Sequence, residues 1–424
     1  MQLSKDIESD HENKSTKASL SPIDLGERLH HIDSLRGFAI LGILLVNMLS
    51  FQYGSIGIEG IRSELSGLDA MLYDLIEWLF QGSFYPVFSM LFGFGAVIMW
   101  ERAAQKGRPF KRVFLRRMII LLVMGYTHLH FIWDGDILFT YAMAGLVLTF
   151  FIKRKAITVL VWALVLAFLL NAPGLIPSTE EDEIDLSTYS ELERTILSEG
   201  TYAEITSHRL TANPFEKIDL GFEMGSMEHQ LFADFLNFFN TLTITMQAFM
   251  LFLIGAFIAK KKWLHRLSEN RGLLVKVTLI FITVGLALKG SMILTDNVML
   301  DYFGYLLGGP LAAIGYITGL SLFFAKFHSS NLVQGFNSLG RMALTNYLTH
   351  SVIMTTIFYG YGFGLLGELG ILIGSLMAIA LIVLQMFFSK WWLSRYQFGP
   401  MEWLWRSGTY LKVQPFRKIE RNKS

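Results

Sequence analysis

Cysteine is absent from this chain of 424 residues. Its absence excludes disulfides, thiolate metal sites and a cysteine nucleophile. Charge is also scarce: 17% of the residues are charged, whereas soluble domains contain about a quarter. The formal net charge is +1, so the chain lacks the basic field that attracts nucleic acid, and no nucleic-acid partner is predicted.

Apolar residues make up 52% of the chain and occur in long runs. Four stretches carry no charged side chain, namely residues 137–152, 156–170, 246–259 and 371–388. A soluble core cannot enclose so many unbroken apolar runs, whereas a bilayer can solvate them as helices. The sequence therefore predicts an all-α, polytopic membrane helix bundle.

About ten transmembrane helices are predicted, each near the ~20 residues that cross the hydrocarbon core. They cover residues 36–52, 77–100, 117–133, 137–152, 156–176, 238–259, 273–294, 303–325, 341–360 and 366–389. With both termini inside, 31 of the 36 Lys and Arg residues lie in the inner segments. This asymmetry predicts an N-in/C-in topology.

The predicted spans divide the chain into five parts. Residues 1–30 form a disordered cytoplasmic tail, 31–176 and 238–389 form two five-helix membrane halves, and 390–424 form a basic cytoplasmic tail. Residues 177–237 form an outer loop with fourteen Asp and Glu. This loop is interpreted either as a solvated cap or as a lid over an outer substrate entrance.

Polar groups at the inner end of the first span form the first candidate site. Arg36 follows Asp33 by one turn, and Asn47 lies further along the same span. Arg36 is interpreted either as an interfacial anchor or as a clamp for an anionic group from the cytoplasm, because its planar fork suits phosphate.

The motif that is richest in potential catalytic side chains is the hairpin turn that carries His128, His130, Asp134 and Asp136, followed by Tyr141. His128 and His130 point about 200° apart on a helix, so we do not expect them to act as a pair. We expect Asp136 to face His128 across the turn and to orient it as a general base. A polar interfacial turn is the alternative, and no metal site is predicted because no ligand spacing is present.

A polar stripe runs along the predicted ninth span. Arg341 precedes it, and Asn346 and His350 share a helix face at a spacing of four. Such a stripe indicates either a substrate path or hydrogen bonds between helices. Lys289, near the outer end of the seventh span, is expected to snorkel to the surface.

Several of these segments together resemble a known family. They are HIDSLRGFAILGILLVNM, FYPVFSMLFGFG, RRMIILLVMGYTHLHFIWDGDILFTYA, NSLGRMALTNYLTHS and FGPMEWLWRSGTY. The combination resembles the YeiB-like family of bacterial polytopic membrane proteins, which is similar in turn to heparan glucosaminide acetyltransferases and to bacterial acyltransferases that decorate surface sugars. The resemblance implies a location in the bacterial cell membrane and transfer of an acyl group from cytoplasmic acyl-CoA, such as acetyl-CoA, to an acceptor across the membrane.

This sequence departs from the pattern of the sugar acyltransferases at one position. Arg36 matches the arginine of the family's first-span motif, but Asn47 stands where the sugar acyltransferases carry a histidine. Asparagine cannot act as a base. The base is therefore expected to be His128 with Asp136, or else His130 or His350, or the activity has been lost or replaced.

Three functions follow from these observations. The first is an acyltransferase in which Arg36, the basic segment 101–117, Asn47, Tyr141, Arg341 and Asn346 contact the substrates, which include a small-molecule or glycan acceptor and membrane lipid. The second is a transporter of a small molecule or lipid, and the third is a non-catalytic membrane partner. The sequence leaves the acceptor and the oligomeric state open.

Overall fold

The computed structural model describes residues 29–55, 61–175, 186–218, 220–295 and 297–418. Within these ranges the chain is helical and has no strand, apart from an isolated bridge between Tyr396 and Arg417. The predicted all-α class is confirmed. Of the predicted tail 1–30, residues 1–28 lie outside the described ranges.

In the described residues of the N-terminal half there are seven α-helices, and α2 and most of α3 lie between the first and second predicted spans. The helices are α1 (His30–Tyr53), α2 (Ile61–Glu64), α3 (Gly67–Leu79), α4 (Phe84–Gln105), α5 (Phe110–Phe131), α6 (Leu138–Phe151) and α7 (Ala156–Asn171).

The remaining helices comprise an outer pair, the C-terminal membrane half and a short terminal helix. They are α8 (Ser187–Glu199), α9 (Tyr202–Thr211), α10 (Met227–Lys260), α11 (Arg271–Leu294), α12 (Val298–Phe303), α13 (Gly309–Lys326), α14 (Asn331–Arg341), α15 (Ala343–Phe358), α16 (Ile371–Arg395) and α17 (Pro400–Tyr410). A π-helical turn over Gly304–Gly308 joins α12 to α13.

Seven helical segments in the described ranges are long and apolar enough to cross a membrane. They contain α1, α3 with α4, α7, α10, α11, α13 and α16, and α6 is a shorter apolar helix. The predicted spans 117–133 and 341–360 correspond to α5 and α15. Helix α5 begins with a basic turn and α15 is only 16 residues long, so neither is among the seven. A membrane helix bundle is therefore supported, and the count of ten stays a prediction.

The bundle is held by backbone contacts that only glycine permits. A Cβ atom on Gly93 would lie 2.1 Å from the Phe252 carbonyl oxygen, and one on Gly255 would lie 1.8 Å from that of Met90. Helices α4 and α10 therefore cross at reciprocal glycines. Lipid offers no hydrophobic drive between helices, so such close contact supplies much of their association.

The outer segment, which is the part of the predicted outer loop that contains α8 and α9, packs against the membrane helices. The Tyr202 hydroxyl donates to the Phe131 carbonyl oxygen at 2.8 Å, and the Gly360 amide donates to the Leu197 carbonyl oxygen at 2.8 Å. Ile205 is fully buried. The segment is therefore more than a solvated loop, and α10 begins at Met227 rather than at the predicted boundary of 238.

The prediction that Lys289 snorkels to the surface is wrong. Its side chain is buried and donates hydrogen bonds to the Gln81 carbonyl oxygen and, at 3.2 Å, to Ser83 Oγ. The carboxylate of Glu77 lies within electrostatic range. The turn between α3 and α4 presents these polar atoms to α11, so they solvate the Lys289 ammonium group in place of water.

The α4–α10 crossing predicts a position-specific effect of alanine. Gly255→Ala should destabilise the protein by about 1–3 kcal/mol, because its new methyl group collides with backbone. The control is Gly272→Ala, since a Cβ atom there meets no atom within 4 Å. Thermal unfolding of the detergent-purified variants measures both, and equal midpoints would contradict the proposed packing.

The predicted topology can be tested directly, because the chain has no native cysteine to label. Thr195→Cys on α8 and Ser329→Cys between α13 and α14 both introduce thiols at exposed positions. A membrane-impermeant maleimide should label Thr195→Cys in intact cells and Ser329→Cys only after permeabilisation. The reverse pattern would overturn the N-in/C-in assignment.

Candidate functional site

A cavity of about 280 Å³ lies at the start of α1 and the end of α4, which the predicted topology places on the cytoplasmic side, and extends into the bundle. Helices α1, α4, α5, α6, α15 and α17 and the end of α14 wall it. The side chains that line it include Asp33, Arg36, Phe88, Phe92, Arg102, Arg117, Tyr141, Arg341, Tyr347, Glu402, Trp405 and Arg406.

Five arginines line this cavity against two carboxylates, those of Asp33 and Glu402. The Arg36 guanidinium donates from Nη1 to Asp33 Oδ1 at 3.2 Å and keeps 32% of its side chain exposed. Gly95 on α4 gives it room, because a Cβ atom there would lie 3.3 Å from Arg36 Nη2. The charge balance favours an anionic ligand at this end.

Helix α17 folds back under the bundle and supplies part of the cavity wall. The Trp405 indole donates from Nε1 to the Arg117 carbonyl oxygen at 2.9 Å. The Arg117 guanidinium carbon lies 3.6 Å from the centroid of the Trp405 ring. This cation–π contact fixes the guanidinium plane at the cavity surface and ties α17 to α5.

The carboxylate of Glu402 holds α17 against the start of α15. Its Oε1 accepts hydrogen bonds from the Leu344 amide at 2.7 Å and the Thr345 amide at 3.1 Å. Its Oε2 accepts one from the Thr345 hydroxyl at 2.6 Å. These amides belong to the first turn of α15 and have no partner within the helix, so the carboxylate caps it.

The middle of the cavity is apolar. On α4 the lining runs from Arg102 to Phe88, a separation of fourteen residues. At 1.5 Å per helical residue this corresponds to ~20 Å, a large part of the ~30 Å hydrocarbon core. A ligand bound by the arginines can therefore extend an apolar arm deep into the bundle.

The far end of the cavity lies beside the predicted His–Asp pair. Tyr141 and Tyr347 line this end. The Tyr141 hydroxyl lies 2.7 Å from Ser89 Oγ, and the Tyr347 ring centroid lies 5.3 Å from that of His128. Tyr347 therefore separates the cavity from the His128 imidazole.

His128 and Asp136 form a buried, oriented pair. His128 Nδ1 lies 2.8 Å from Asp136 Oδ1, and the two side chains are 1% and 0% exposed. Asp136 Oδ2 accepts the Phe139 amide at 2.7 Å, which fixes the carboxylate at the start of α6. His128 Nε2 has no hydrogen-bond partner among the described residues. A carboxylate-oriented imidazole with a free second nitrogen is equipped to accept a proton.

The other predicted residues lie apart from this pair. His130 Nδ1 lies 3.2 Å from the Arg209 carbonyl oxygen in the outer segment. His350 Nε2 lies 2.6 Å from Gln385 Oε1, and Asn346 donates to Ser389 Oγ at 3.1 Å, so both connect α15 to α16. Asn47 is half-buried on α1 and is not among the residues that line the cavity.

The sequence did not single out the contributions of α17. Glu402, Trp405 and Arg406 fall in the segment predicted to be a basic tail, yet they line the cavity. The signal was present in Gly399-Pro400 followed by closely spaced tryptophans, which is typical of a helix start and an amphipathic face. Arg102 and Arg117 do belong to the basic segment 101–117 that was expected to contact substrate.

Fold and site together define a class: an all-α membrane bundle with an arginine-lined cavity that leads to a buried His–Asp pair. The chain is 35% identical to the uncharacterized protein YxaH of Bacillus subtilis (strain 168), over 95% of this chain and 99% of that protein. It is 26% identical to the uncharacterized protein YeiB of Escherichia coli (strain K12), over 92% and 98% of the two chains.

A family profile described as "Protein of unknown function (DUF418)" matches residues 258–412, which include α14, α15 and α17. The chain therefore belongs to the YeiB-like family, and the predicted membership is confirmed. The resemblance to acyltransferases stays a prediction.

The cap that Glu402 provides predicts a pH effect on stability. Burial raises the pKa of this carboxyl above its usual range, although the hydrogen bonds from Thr345 and Leu344 oppose the shift. The folded state thus binds the proton more tightly than the unfolded state, and stability falls as the pH rises through the folded pKa. Glu402→Gln removes this titration, so its melting temperature minus that of wild type should increase from pH 5 to pH 8.

Thermal unfolding at both pH values measures the difference, with Glu199→Gln, an exposed carboxylate on α8, as the control. If the melting temperature of Glu402→Gln minus that of wild type decreases from pH 5 to pH 8, the folded state prefers the ionised form of Glu402 and the prediction is contradicted.

Proposed function

We propose that this protein is a membrane acyltransferase that binds acyl-CoA from the cytoplasm and passes the acyl group to an acceptor near the outer side of the bacterial cell membrane. The observation that supports this proposal most is the cavity, which begins at a cluster of arginines and ends at Tyr141 and Tyr347, where the Tyr347 ring contacts the imidazole of the His128–Asp136 pair.

The arginine end suits the phosphates of coenzyme A. Guanidinium groups bind phosphate through paired, charge-assisted hydrogen bonds, and five of them line a cavity with two carboxylates. Arg117 is stacked on Trp405 and Arg36 is held by Asp33, so their planes are oriented before a ligand arrives. The ion pair between Arg36 and Asp33 is weak enough at partial exposure to exchange for a phosphate.

The apolar part of the cavity suits the arm of coenzyme A that ends in the thioester. Its ~20 Å depth along α4 would bring the thioester from the arginines to Tyr141 and Tyr347. Excluding water from this region protects the thioester from hydrolysis. The absence of cysteine is compatible with direct transfer to the acceptor.

In the proposed reaction His128 Nε2 removes the proton from an acceptor hydroxyl. The acceptor oxygen attacks the thioester carbonyl, so that a carbon–oxygen bond forms and the carbon–sulfur bond breaks. The departing thiolate takes the proton from the imidazolium, which restores neutral His128. Asp136 holds the ring in the tautomer that leaves Nε2 free and stabilises its charged form.

Binding of acetyl-CoA provides the first test. Isothermal titration with the full chain in lipid nanodiscs should detect binding, and Arg36→Ala should weaken it about tenfold, equivalent to one charged hydrogen bond of about 1.4 kcal/mol. Lys106→Ala is the matched control, because Lys106 is exposed on the same side and does not line the cavity.

The catalytic role is separated from binding by Asp136→Asn. This variant should bind acetyl-CoA with unchanged affinity and release coenzyme A at least about 100-fold more slowly, the size of a general-base contribution. A thiol reagent measures the released coenzyme A without background, since the protein has no cysteine. Absence of acetyl-CoA binding by wild type would contradict the proposal.

A transporter is the second candidate, and the buried Lys289 supports it. This lysine lies in α11 with Glu77 in electrostatic range, remote in sequence from the cavity-lining residues. Charged groups inside membrane helices often mark ion or substrate paths. Uptake of a solute into reconstituted vesicles that is indifferent to acetyl-CoA and abolished by Lys289→Ala would favour transport.

A further inference from the structure

A second polar cluster lies on the outer side of the turn that carries Asp136. Asp134 occupies this turn, Arg209 comes from α9, Glu193 from α8 and Tyr359 from the end of α15. Ser55, just after α1, donates to Asp134 Oδ2 at 2.8 Å. The cluster is thus built from the residues that follow α1 and α15, the turn between α5 and α6, and both helices of the outer segment.

Arg209 is buried in this cluster without hydrogen bonds. Its side chain is 4% exposed, and its Nε, Nη1 and Nη2 atoms have no hydrogen-bond partner among the described residues. Asp134 Oδ1 lies 3.9 Å from Arg209 Nε, too far for a hydrogen bond, and the Tyr359 ring centroid lies 5.5 Å from the guanidinium carbon. A buried guanidinium in this state is costly unless a ligand or water occupies its donors.

The neighbouring polar atoms lack partners as well. Asp134 Oδ1 and the Tyr359 hydroxyl are also buried without a hydrogen bond among the described residues. The set therefore mixes donors with acceptors. A carboxylate or phosphate would satisfy the donors alone, whereas a hydroxyl group can donate and accept at once.

The charge of the cluster also disfavours an anion. Asp134, Glu193 and Arg209 all lie within electrostatic range of the Tyr359 hydroxyl, which places two carboxylates against one guanidinium. Burial lowers the pKa of the nearby His208 despite the opposing effect of Asp134, so this imidazole is neutral at pH 7. An anion bound beside the Tyr359 hydroxyl would therefore meet the carboxylates of Asp134 and Glu193 as well as the guanidinium.

We propose that the Arg209–Asp134 cluster is a binding site for a neutral, multiply hydroxylated ligand that enters from the outer side. Asp134 keeps 27% of its side chain exposed, which provides the contact with solvent. Arg209 donates to one ligand hydroxyl, Asp134 accepts from another, and the aromatic ring of Tyr359, whose centroid lies 5.5 Å from the guanidinium carbon, bounds the site.

The position of this site suggests its role. Trp133 lies in the same turn as Asp136, and its ring packs edge-on against His128 with centroids 6.4 Å apart. His128 thus contacts both Trp133, which is next to Asp134 in the chain, and Tyr347, which lines the cavity. The role of the bound hydroxyl compound as the acyl acceptor rests on the proposed function. The binding of that compound to the cluster is independent of it.

Saturation-transfer NMR with glucose as the probe tests the site on the full chain in nanodiscs. Wild type should transfer saturation to glucose, and Arg209→Ala and Asp134→Asn should each reduce the transfer at least fivefold. Lys217→Ala, which removes an exposed cation of the same outer segment, should leave it unchanged. Asp134→Asn keeps the size of the side chain, so it reports on the site if Arg209→Ala fails to fold.

Two outcomes would overturn the site. One is the absence of a glucose signal in wild type, or an equal signal in both site variants. The other is transfer to glucuronate or a phosphorus-detected response to inorganic phosphate without transfer to glucose, which would indicate an anion site. Titration of the same samples with acetyl-CoA keeps the two proposals distinct, because a protein that binds glucose and ignores acetyl-CoA contradicts the acyltransferase alone.

Discussion

Close backbone contact at glycine is the constraint on which the rest of this structure depends. Gly37 and Gly340 bring α1 against α14, Gly93 and Gly255 bring α4 against α10, and Gly125 brings α5 against the start of α6. Each of these contacts involves a helix or helix end that walls the cavity. Because helices in lipid associate through van der Waals contact and hydrogen bonds, these glycines hold the cavity walls at a fixed separation and leave space between them.

The space that this separation leaves allows a chain with little charge to place five arginines around one cavity. A guanidinium is costly in hydrocarbon, but the arginines of the cavity face a polar mouth where water or an anion can reach them. Trp405 orients Arg117 and Asp33 orients Arg36, while the five arginines together still outnumber the carboxylates. The His128–Asp136 pair differs, since both side chains are fully buried and the Asp136 carboxylate contacts His128 Nδ1 and accepts a hydrogen bond from the Phe139 amide.

The sequence predicted the helices and the His128–Asp136 pair well, because both depend on local information. Apolar runs locate the helices, and an eight-residue turn brings the imidazole and the carboxylate together. It did not reveal that Glu402 and Trp405 line the cavity or that Arg209 joins Asp134, since these contacts join segments far apart in the chain. The stripe of Asn346 and His350 was ambiguous for the same reason: its partners Ser389 and Gln385 lie on another helix.

The turn from Ile132 to Asp136 is the point at which the two faces of the protein meet. Asp136 points to His128 beside the inner cavity, and Asp134, two residues earlier, points to Arg209 in the outer cluster. Trp133 lies between Asp134 and Asp136 on one side and His128 on the other in the chain, and its ring packs on Phe51 and against His128. In the proposed reaction the donor approaches this turn through the cavity that ends at Tyr141 and Tyr347, and the acceptor approaches it from the Arg209–Asp134 cluster. Because Tyr347 and Trp133 both contact the His128 ring, their side chains would have to move before the two substrates could meet at His128 Nε2.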